Sequence, residues 1–381
     1  MKIYLVGGAV RDKLLGLPVR ERDWVVVGAT PQEMLDLGYK QVGKDFPVFL
    51  HPETKEEYAL ARTERKTAPG YKGFAFHAAP DITLEEDLKR RDLTINAMAE
   101  SPEGELIDPY GGQEDLQLGK LRHVSPAFAE DPVRILRVAR FAARFGKMGF
   151  SVTHDTNALM RKMVAEGEVD HLVPERVWAE LEKALATDAP EKFFSVLHGC
   201  GALAVLFPEI EAEWNNSTDM HTGKLPAALT ALANSAEQTR DTQVRFAILL
   251  LSLQADQATA QRIANAKTIC QRFRIPGDYL TLAVNAIEHE ARITSNDPCT
   301  LLGIMESTRA LHDPARWHKL LDTYVITNHI SRSRAEQLDQ ARQKAAAISA
   351  ADLEDTSLKG PAIGTAIKEK RCQEIRRTLS E

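Results

Sequence analysis

The stretch Leu5–Val27, LVGGAVRDKLLGLPVRERDWVVV, decides how this chain is read. A short apolar run from Ile3 to Val6 predicts a buried strand that stops at Gly7-Gly8. Backbone without Cβ atoms can turn sharply there and approach a ligand closely. A helical pattern follows from Ala9 to Leu15, carrying Arg11 and Asp12 in its first turn and closed by Gly16. After Pro18, the run from Arg22 to Val27 predicts a second strand with Glu21 and Asp23 at its entrance. Residues two apart on a strand share a face, so the two carboxylates look one way and Arg22 the other. Neighbouring carboxylates repel unless a cation lies between them, and hard oxygen ligands suit Mg²⁺. Alone, the glycine doublet is a turn without the spacing of a dinucleotide fingerprint, and a Glu-x-Asp pair is a solvated edge. Their order carries the information. It puts phosphate-binding backbone N–H groups and a metal site at adjoining strand ends.

The chain has 381 residues, more than one hydrophobic core normally serves, so two or three domains are expected. With 44 % hydrophobic and 27 % charged residues, the composition is that of a globular protein. No apolar run is long enough to span a bilayer, and the N-terminal stretch MKIYLVGGAVRD is too short in apolar residues for a signal peptide. A cytoplasmic protein is expected. Cys200, Cys270, Cys299 and Cys372 are scattered with no C-x-x-C pair, which argues against a disulfide framework and a thiolate zinc site. The net charge of −6 means that any polyanion must be met by a local basic patch.

Strand candidates fill the first third: Ile3–Val6, Trp24–Val27, Gln41–Gly43, Val48–His51, Glu57–Arg62, Leu106–Asp108 and Leu121–Val124. From Ala127 onward helical periodicity takes over, so a boundary is placed near residue 125. Residues 63–80, rich in Gly, Pro and basic side chains, read as a mobile loop. In LKRRDLTINAMAE (88–100), Asp92 is placed to cap a helix beginning at Leu93, with Arg90 and Arg91 beside its N-terminus, a phosphate site by electrostatics. In EDPVRILRVARFAARFG (130–146), Arg134, Arg137, Arg140 and Arg144 recur on one face with no acidic partner four residues away. Such a stripe costs stability unless an anion is present.

Three motifs together, GG-x-x-RD-x-LLG followed by a paired carboxylate, R-R-D-x-T-I-N-A, and E-D-x-x-R, resemble those of the class II tRNA nucleotidyltransferases, the CCA-adding enzymes. This chain departs at position 21, Glu where the commoner residue is Asp; the charge is kept and the reach grows by one methylene. The resemblance implies an α+β fold class: a polymerase β-like nucleotidyltransferase head with a mixed sheet and helices (1–125), then an all-helical neck that selects the nucleotide (126–200) and an all-helical body and tail that bind tRNA (201–381). It implies that Glu21 and Asp23 are the catalytic carboxylates and hold Mg²⁺, with Glu57 a candidate third. Gly8, Arg11 and Arg91 would hold phosphates and sugar of the incoming CTP or ATP. Asp131 and Arg134 would pair with its base edge, and Arg137 and Arg140 would face phosphates or sugar. In the family, a flexible loop at 63–80 is needed for the switch from C to A. VPERVWAELEKAL (173–185) resembles the last family motif, in which Arg176 is read as structural.

Past residue 200 the resemblance thins. Many bacterial members carry a C-terminal phosphohydrolase domain with an adjacent His-Asp pair, but FAILLLSLQADQ (246–257) has none, and His312-Asp313 reads as a loop before Pro314. The hydrolase is expected to be absent. Substrates are then tRNA, CTP and ATP, with no membrane and no evident protein partner. Two alternatives stand beside this reading. A bacterial poly(A) polymerase shares head and neck, but overall acidity and the lack of a long basic extension weigh against it. A non-catalytic tRNA-binding protein on the same scaffold would have lost some of the carboxylates and arginines.

Overall fold

The computed structural model describes residues 1–42, 48–66, 74–216, 225–353 and 358–380. The chain divides into two compact units, Met1–Ala184 with Asp188–Pro208, and Leu185–Thr187 with Glu209–Glu381. The expected head and, apart from Leu185–Thr187, the expected neck thus fall together in the first unit.

The first unit opens with strand β1 (Lys2–Val6), helix α1 (Gly8–Leu14), strand β2 (Asp23–Val27), helix α2 (Pro31–Asp36) and strands β3 (Lys40–Val42), β4 (Val48–Leu50) and β5 (Glu57–Leu60). A ribbon, β6 (Arg62–Lys66) with β7 (Phe74–Ala78), precedes helix α3 (Leu84–Lys89), strands β8 (Ala99–Glu100) and β9 (Leu106–Ile107), and helix α4 (Gly112–Gln117). One sheet of seven strands runs β3-β4-β5-β2-β1-β8-β9, antiparallel except where β2 and β5 run parallel. Alternate residues serve opposite faces. Val25 joins Val6, Leu88 and Ala97 on one side, while Val26 joins Met34, Phe49 and Leu60 on the other. Both faces are therefore dry.

Helices take over as expected: α5 (Val133–Phe145), α6 (His154–Ala165) and α7 (Pro174–Leu185). Ile135, Leu136, Val138 and Ala139 of α5 are fully buried. In the second unit, Phe246 to Leu251 lie inside the helix Thr242–Ser252 and pack as core. Arg245 beside them is 0 % exposed, and its guanidinium donates to the carbonyls of Leu185, Thr187, Ala236 and Thr239. A charge without access to water is thus spread over four carbonyl dipoles. Asp313 caps the helix Pro314–Ile326 by accepting from the Arg316 N–H, as the loop reading of His312-Asp313 requires. Among the described residues no helix is long and apolar enough to cross a membrane.

Several expectations need correction. The segment 63–80 is not one open loop: its flanks pair as the β6–β7 ribbon, while residues 67–73 lie outside the described residues, as does Gly43 of the third strand candidate. No α-helix begins at Leu93. Only a 3₁₀ turn, Thr94–Asn96, forms there, because Asp92 turns its carboxylate to the Leu93 N–H and the Asn96 side chain instead. Strand β2 begins at Asp23, so Glu21 lies in the preceding coil and the strand rule does not set its direction. Cys299 and Cys372, far apart in sequence, lie side by side as free thiols.

Arg11 also departs from the phosphate-binding reading. Its guanidinium is 3 % exposed, donates to Asp12 Oδ1 from Nε and Nη2 at 2.9 and 2.8 Å and to Asn96 Oδ1, and lies 5.2 Å from the rings of both Phe141 and Phe145. Asp12 Oδ2 accepts from Arg144 Nη2 at 2.8 Å. Arg11 is therefore a strut between α1 and α5. Removing one member of such a buried set strands the others, so Arg11→Ala should destabilise the first unit by about 3–5 kcal/mol in urea unfolding. An Arg11→Ala protein of unchanged stability but raised nucleotide KM would restore the phosphate role.

Candidate active site

The register of three strands assembles the site. Asp23 opens β2 opposite Val6, the last residue of β1, and beside Glu57, the first residue of β5. Gly7-Gly8, which follow β1 directly, therefore adjoin the carboxylate pair. An open cleft of ≈ 600 Å³ is lined here by Val19–Asp23 and Thr54–Glu57. Asp23 accepts no hydrogen bond from any described residue. Burial pushes its carboxyl above the usual range, with Glu21 adding to the rise and Arg91 and Arg137 opposing it. A carboxylate short of donors beside a second one is a donor set that fits a hard divalent cation. Glu21 is exposed and lies in the coil that precedes β2. Among the described residues no three carboxylate, histidine or cysteine side chains form a ready metal cage.

The two glycines are glycine for different reasons. Gly7 has φ 69°, a conformation that strains any side chain, and a Cβ there would meet Arg91 Nη1 at 2.6 Å and displace that guanidinium. A Cβ on Gly8 would meet only the Arg11 guanidinium, nearest at Nη2, 3.4 Å away. The protein itself leaves room at Gly8. A glycine with room around it is a place where backbone can come close to a ligand.

Arg91 is fixed by α3. Asp87, fully buried, accepts from Arg90 Nη2 at 3.0 Å, Arg91 Nη2 at 3.5 Å and the Arg62 N–H at 3.3 Å. Burial alone would raise the Asp87 carboxyl, but Arg90 and Arg91 outweigh it and hold it low. With no helix at Leu93, the anion-binding potential of this segment rests on the Arg91 guanidinium, which also donates to the Asn96 carbonyl at 3.4 Å.

The stripe on α5 finds its anions inside the protein. Arg137 Nε donates to Asp92 Oδ2 at 2.6 Å, Arg140 Nε to Glu180 Oε2 at 2.5 Å, and Arg144 to Asp12. Arg134 is buried and donates to the carbonyls of Ala127 and Arg90 at 2.9 and 2.7 Å. Asp131 precedes the helix and accepts from the Val133 N–H at 3.0 Å and from Arg176 Nη2 at 3.2 Å. Gly8, Arg91, Glu21 and Asp23 thus lie around the strand ends, Arg137 reaches the same region through Asp92, and Arg140 turns instead to α7. Sequence reasoning passed over the acidic partners Asp12, Asp87, Asp92 (beyond its capping role) and Glu180. The signal was the Arg-Asp dipeptides at 11–12 and 91–92.

A mixed sheet with paired carboxylates at its glycine turn, joined to an arginine-rich helical neck, defines a nucleotidyltransferase of the poly(A) polymerase head class. Residues 3–122 match the family described as Poly A polymerase head domain, and 149–213 match the Probable RNA and SrmB- binding site of polymerase A. The chain is 52 % identical to the Multifunctional CCA protein of Thioalkalivibrio sulfidiphilus, covering 100 % of this chain and 99 % of that one. It is 49 % identical to the CCA-adding enzyme of Coxiella burnetii, covering 100 % and 96 %. The chain belongs to the family of the CCA-adding enzymes. Its fold is also that of the Bacillus stearothermophilus CCA-adding enzyme in complex with CTP (TM-score 0.67, 20 % identity, 98 % of this chain and 89 % of that chain). The Thermotoga maritima CCA-adding enzyme complexed with tRNA is similar too (TM-score 0.60, 23 % identity, 100 % and 91 %).

Two outcomes are expected. Gly8→Ala, a change from a poor to a good helix former, should leave stability unchanged or raise it by up to about 1 kcal/mol while raising the KM for nucleotides; unaltered KM would remove Gly8 from the ligand surface. Asp92, held low mainly by Arg137 and Asn96 against its burial, contributes stability that is present above about pH 4 and lost as pH falls below it. Asp92→Asn should therefore be less stable than the parent at neutral pH and show a flatter acid limb in urea midpoints.

Proposed function

We propose that this chain builds and repairs the 3′-terminal CCA of tRNA from CTP and ATP without a nucleic-acid template. The observation that carries the reading is the juxtaposition of Asp23, the Gly7-Gly8 turn and Arg91 at one sheet edge, in a chain about half identical over its full length to enzymes named for CCA addition. Glu21 and Asp23 would hold Mg²⁺. When bound, the metal supplies Lewis acidity that lowers the pKa of the tRNA 3′-OH and offsets charge on the triphosphate during in-line attack. Arg91 and the backbone at Gly8 hold and orient the phosphates, so that the attacking oxygen and the α-phosphate meet in line.

Base choice is assigned to Asp131 and Arg134. Cytosine N4 and adenine N6 are hydrogen-bond donors, whereas the corresponding oxygens of guanine and uracil are acceptors. An ionised carboxylate only accepts, so Asp131 favours C and A and faces repulsion from G and U. Arg134, its plane set by two main-chain carbonyls, supplies the matching donor. The ion pairs of Arg137 with Asp92 and of Arg140 with Glu180 support a scaffolding role for both, with phosphate or sugar contact secondary. Residues 201–381 form the helical body and tail that would grip the tRNA backbone. The tRNA substrate puts the site of action in the cytoplasm.

The test is purified protein with tRNA lacking its 3′ end and each labelled nucleotide in turn. Two C and one A should be added, and Asp23→Ala should abolish addition while leaving tRNA binding nearly intact. A long run of A on unrelated RNA would indicate a poly(A) polymerase, and tRNA binding without incorporation a non-catalytic scaffold. Asp131→Asn, which keeps an acceptor for the Val133 N–H, should relax the preference for C and A by roughly ten- to a hundredfold in kcat/KM ratios, the worth of one oriented hydrogen bond at about 1–3 kcal/mol.

A further inference from the structure

Asp131 is held by more than its own turn. The Arg176 fork faces its carboxylate with Nη2 at 3.2 Å from Oδ2 and Nη1 at 3.5 Å from Oδ1, while Oδ1 also accepts from the Val133 N–H. Both side chains stay partly open to solvent, 31 % exposed for Arg176 and 22 % for Asp131. Arg176 sits on α7, whose next turn presents Glu180 to Arg140 of α5. Between these two, Val177 and Trp178 are buried. Residues four apart on a helix share a face, so α7 is pinned to α5 by Glu180 and delivers Arg176 to Asp131 at a fixed height.

The consequence concerns selectivity. Held by one backbone N–H, a carboxylate can still turn about its last side-chain bond, and an acceptor that turns can follow a displaced or wrong base. A guanidinium fork engaging both oxygens fixes the carboxylate plane. We propose that Arg176 is a positioning residue for nucleotide choice, locking the plane of the Asp131 carboxylate so that it meets an amino group on the incoming base at one place only. This rests on the reading of Asp131 as the base-edge acceptor. Arg176 touches neither the reacting atoms nor the metal site; it acts through Asp131.

The experiment measures kcat/KM for CTP, ATP, UTP and GTP on Arg176→Ala, Arg176→Lys, Asp131→Ala and the Asp131→Ala/Arg176→Ala double variant, together with unfolding midpoints. Arg176→Ala should lower the ratio of correct to wrong nucleotide about tenfold or more, with kcat for CTP less affected. Arg176→Lys keeps the charge and loses the fork, so it should fold normally and still be less selective than the parent, which keeps the test decisive if the alanine variant does not fold. The double variant should be no less selective than Asp131→Ala, since Arg176 has nothing left to position. Equal losses for all four nucleotides in Arg176→Ala and Arg176→Lys, with lowered midpoints, would make Arg176 a mere brace and overturn the proposal. Retained selectivity in both Arg176 variants with selectivity lost in Asp131→Ala would also overturn it, leaving Asp131 as the reader. Unchanged ratios in Asp131→Ala itself would instead remove the base-reading role on which the proposal stands.

Discussion

Four arginines on one helix face repel each other, and α5 keeps them only because other elements bring a carboxylate or a carbonyl to each. Asp92 meets Arg137, Glu180 meets Arg140, Asp12 meets Arg144, and two carbonyls meet Arg134. Three different parts of the first unit are thereby fixed to one helix: α1 through Asp12, the segment after α3 through Asp92, and α7 through Glu180. Because these carboxylates are largely shielded, unpairing any of them is costly, and the helix orientation follows from satisfying all at once. The site inherits its geometry from this constraint. Arg91 is next to Asp92 in the chain, and Gly7-Gly8 lead into the helix that carries Asp12.

The same pairing reassigns tasks among the cations. A guanidinium already bound to a buried carboxylate gives up that bond to take a phosphate, and the exchange gains little. Arg11, enclosed between two phenylalanine rings, is further still from a diffusing ligand. The triphosphate would then fall to backbone at Gly8, to the divalent cation and to Arg91, whose contact with Asp87 is the longest of these pairings at 3.5 Å. This suits a chain with net charge −6, whose positive potential is local and mostly neutralised by its own acids.

The strand–glycine–helix–strand unit was legible because each signal in it is local: an apolar run, two residues without Cβ, a helical period and a second apolar run. So was α5, whose apolar face is buried as its period demands. What stayed hidden is pairing at long range. Asp92 and Arg137 are 45 residues apart, Arg140 and Glu180 40, and Asp12 and Arg144 132. A helix scanned for partners four residues away shows an unpaired stripe, and the inference that an outside anion must neutralise it was sound in physics and wrong in identity. The helix expected at Leu93 failed for a related reason. Asp92 has two oxygens to place, and a tertiary arginine together with Asn96 claims them ahead of a helix N-terminus.

Selectivity and chemistry are thereby built on different mechanical footings. The carboxylates that would hold the metal sit at an open strand edge, one of them on a coil, so a bound cation would supply the restraint that holds them together. The residues that would read the base cannot depend on such help, since an incoming nucleotide must be tested before anything commits. They need a rigid frame in advance, because a wrong base is rejected only if the mispaired group has no way to relax. Arg134 held by two carbonyls, and Asp131 held by a backbone N–H and a guanidinium fork, meet that requirement with main-chain and ion-pair restraints in place before a ligand binds. A protein that selects without a nucleic-acid template has to store the template as restraint, and in this chain the restraint lies in the contacts of α5 and α7.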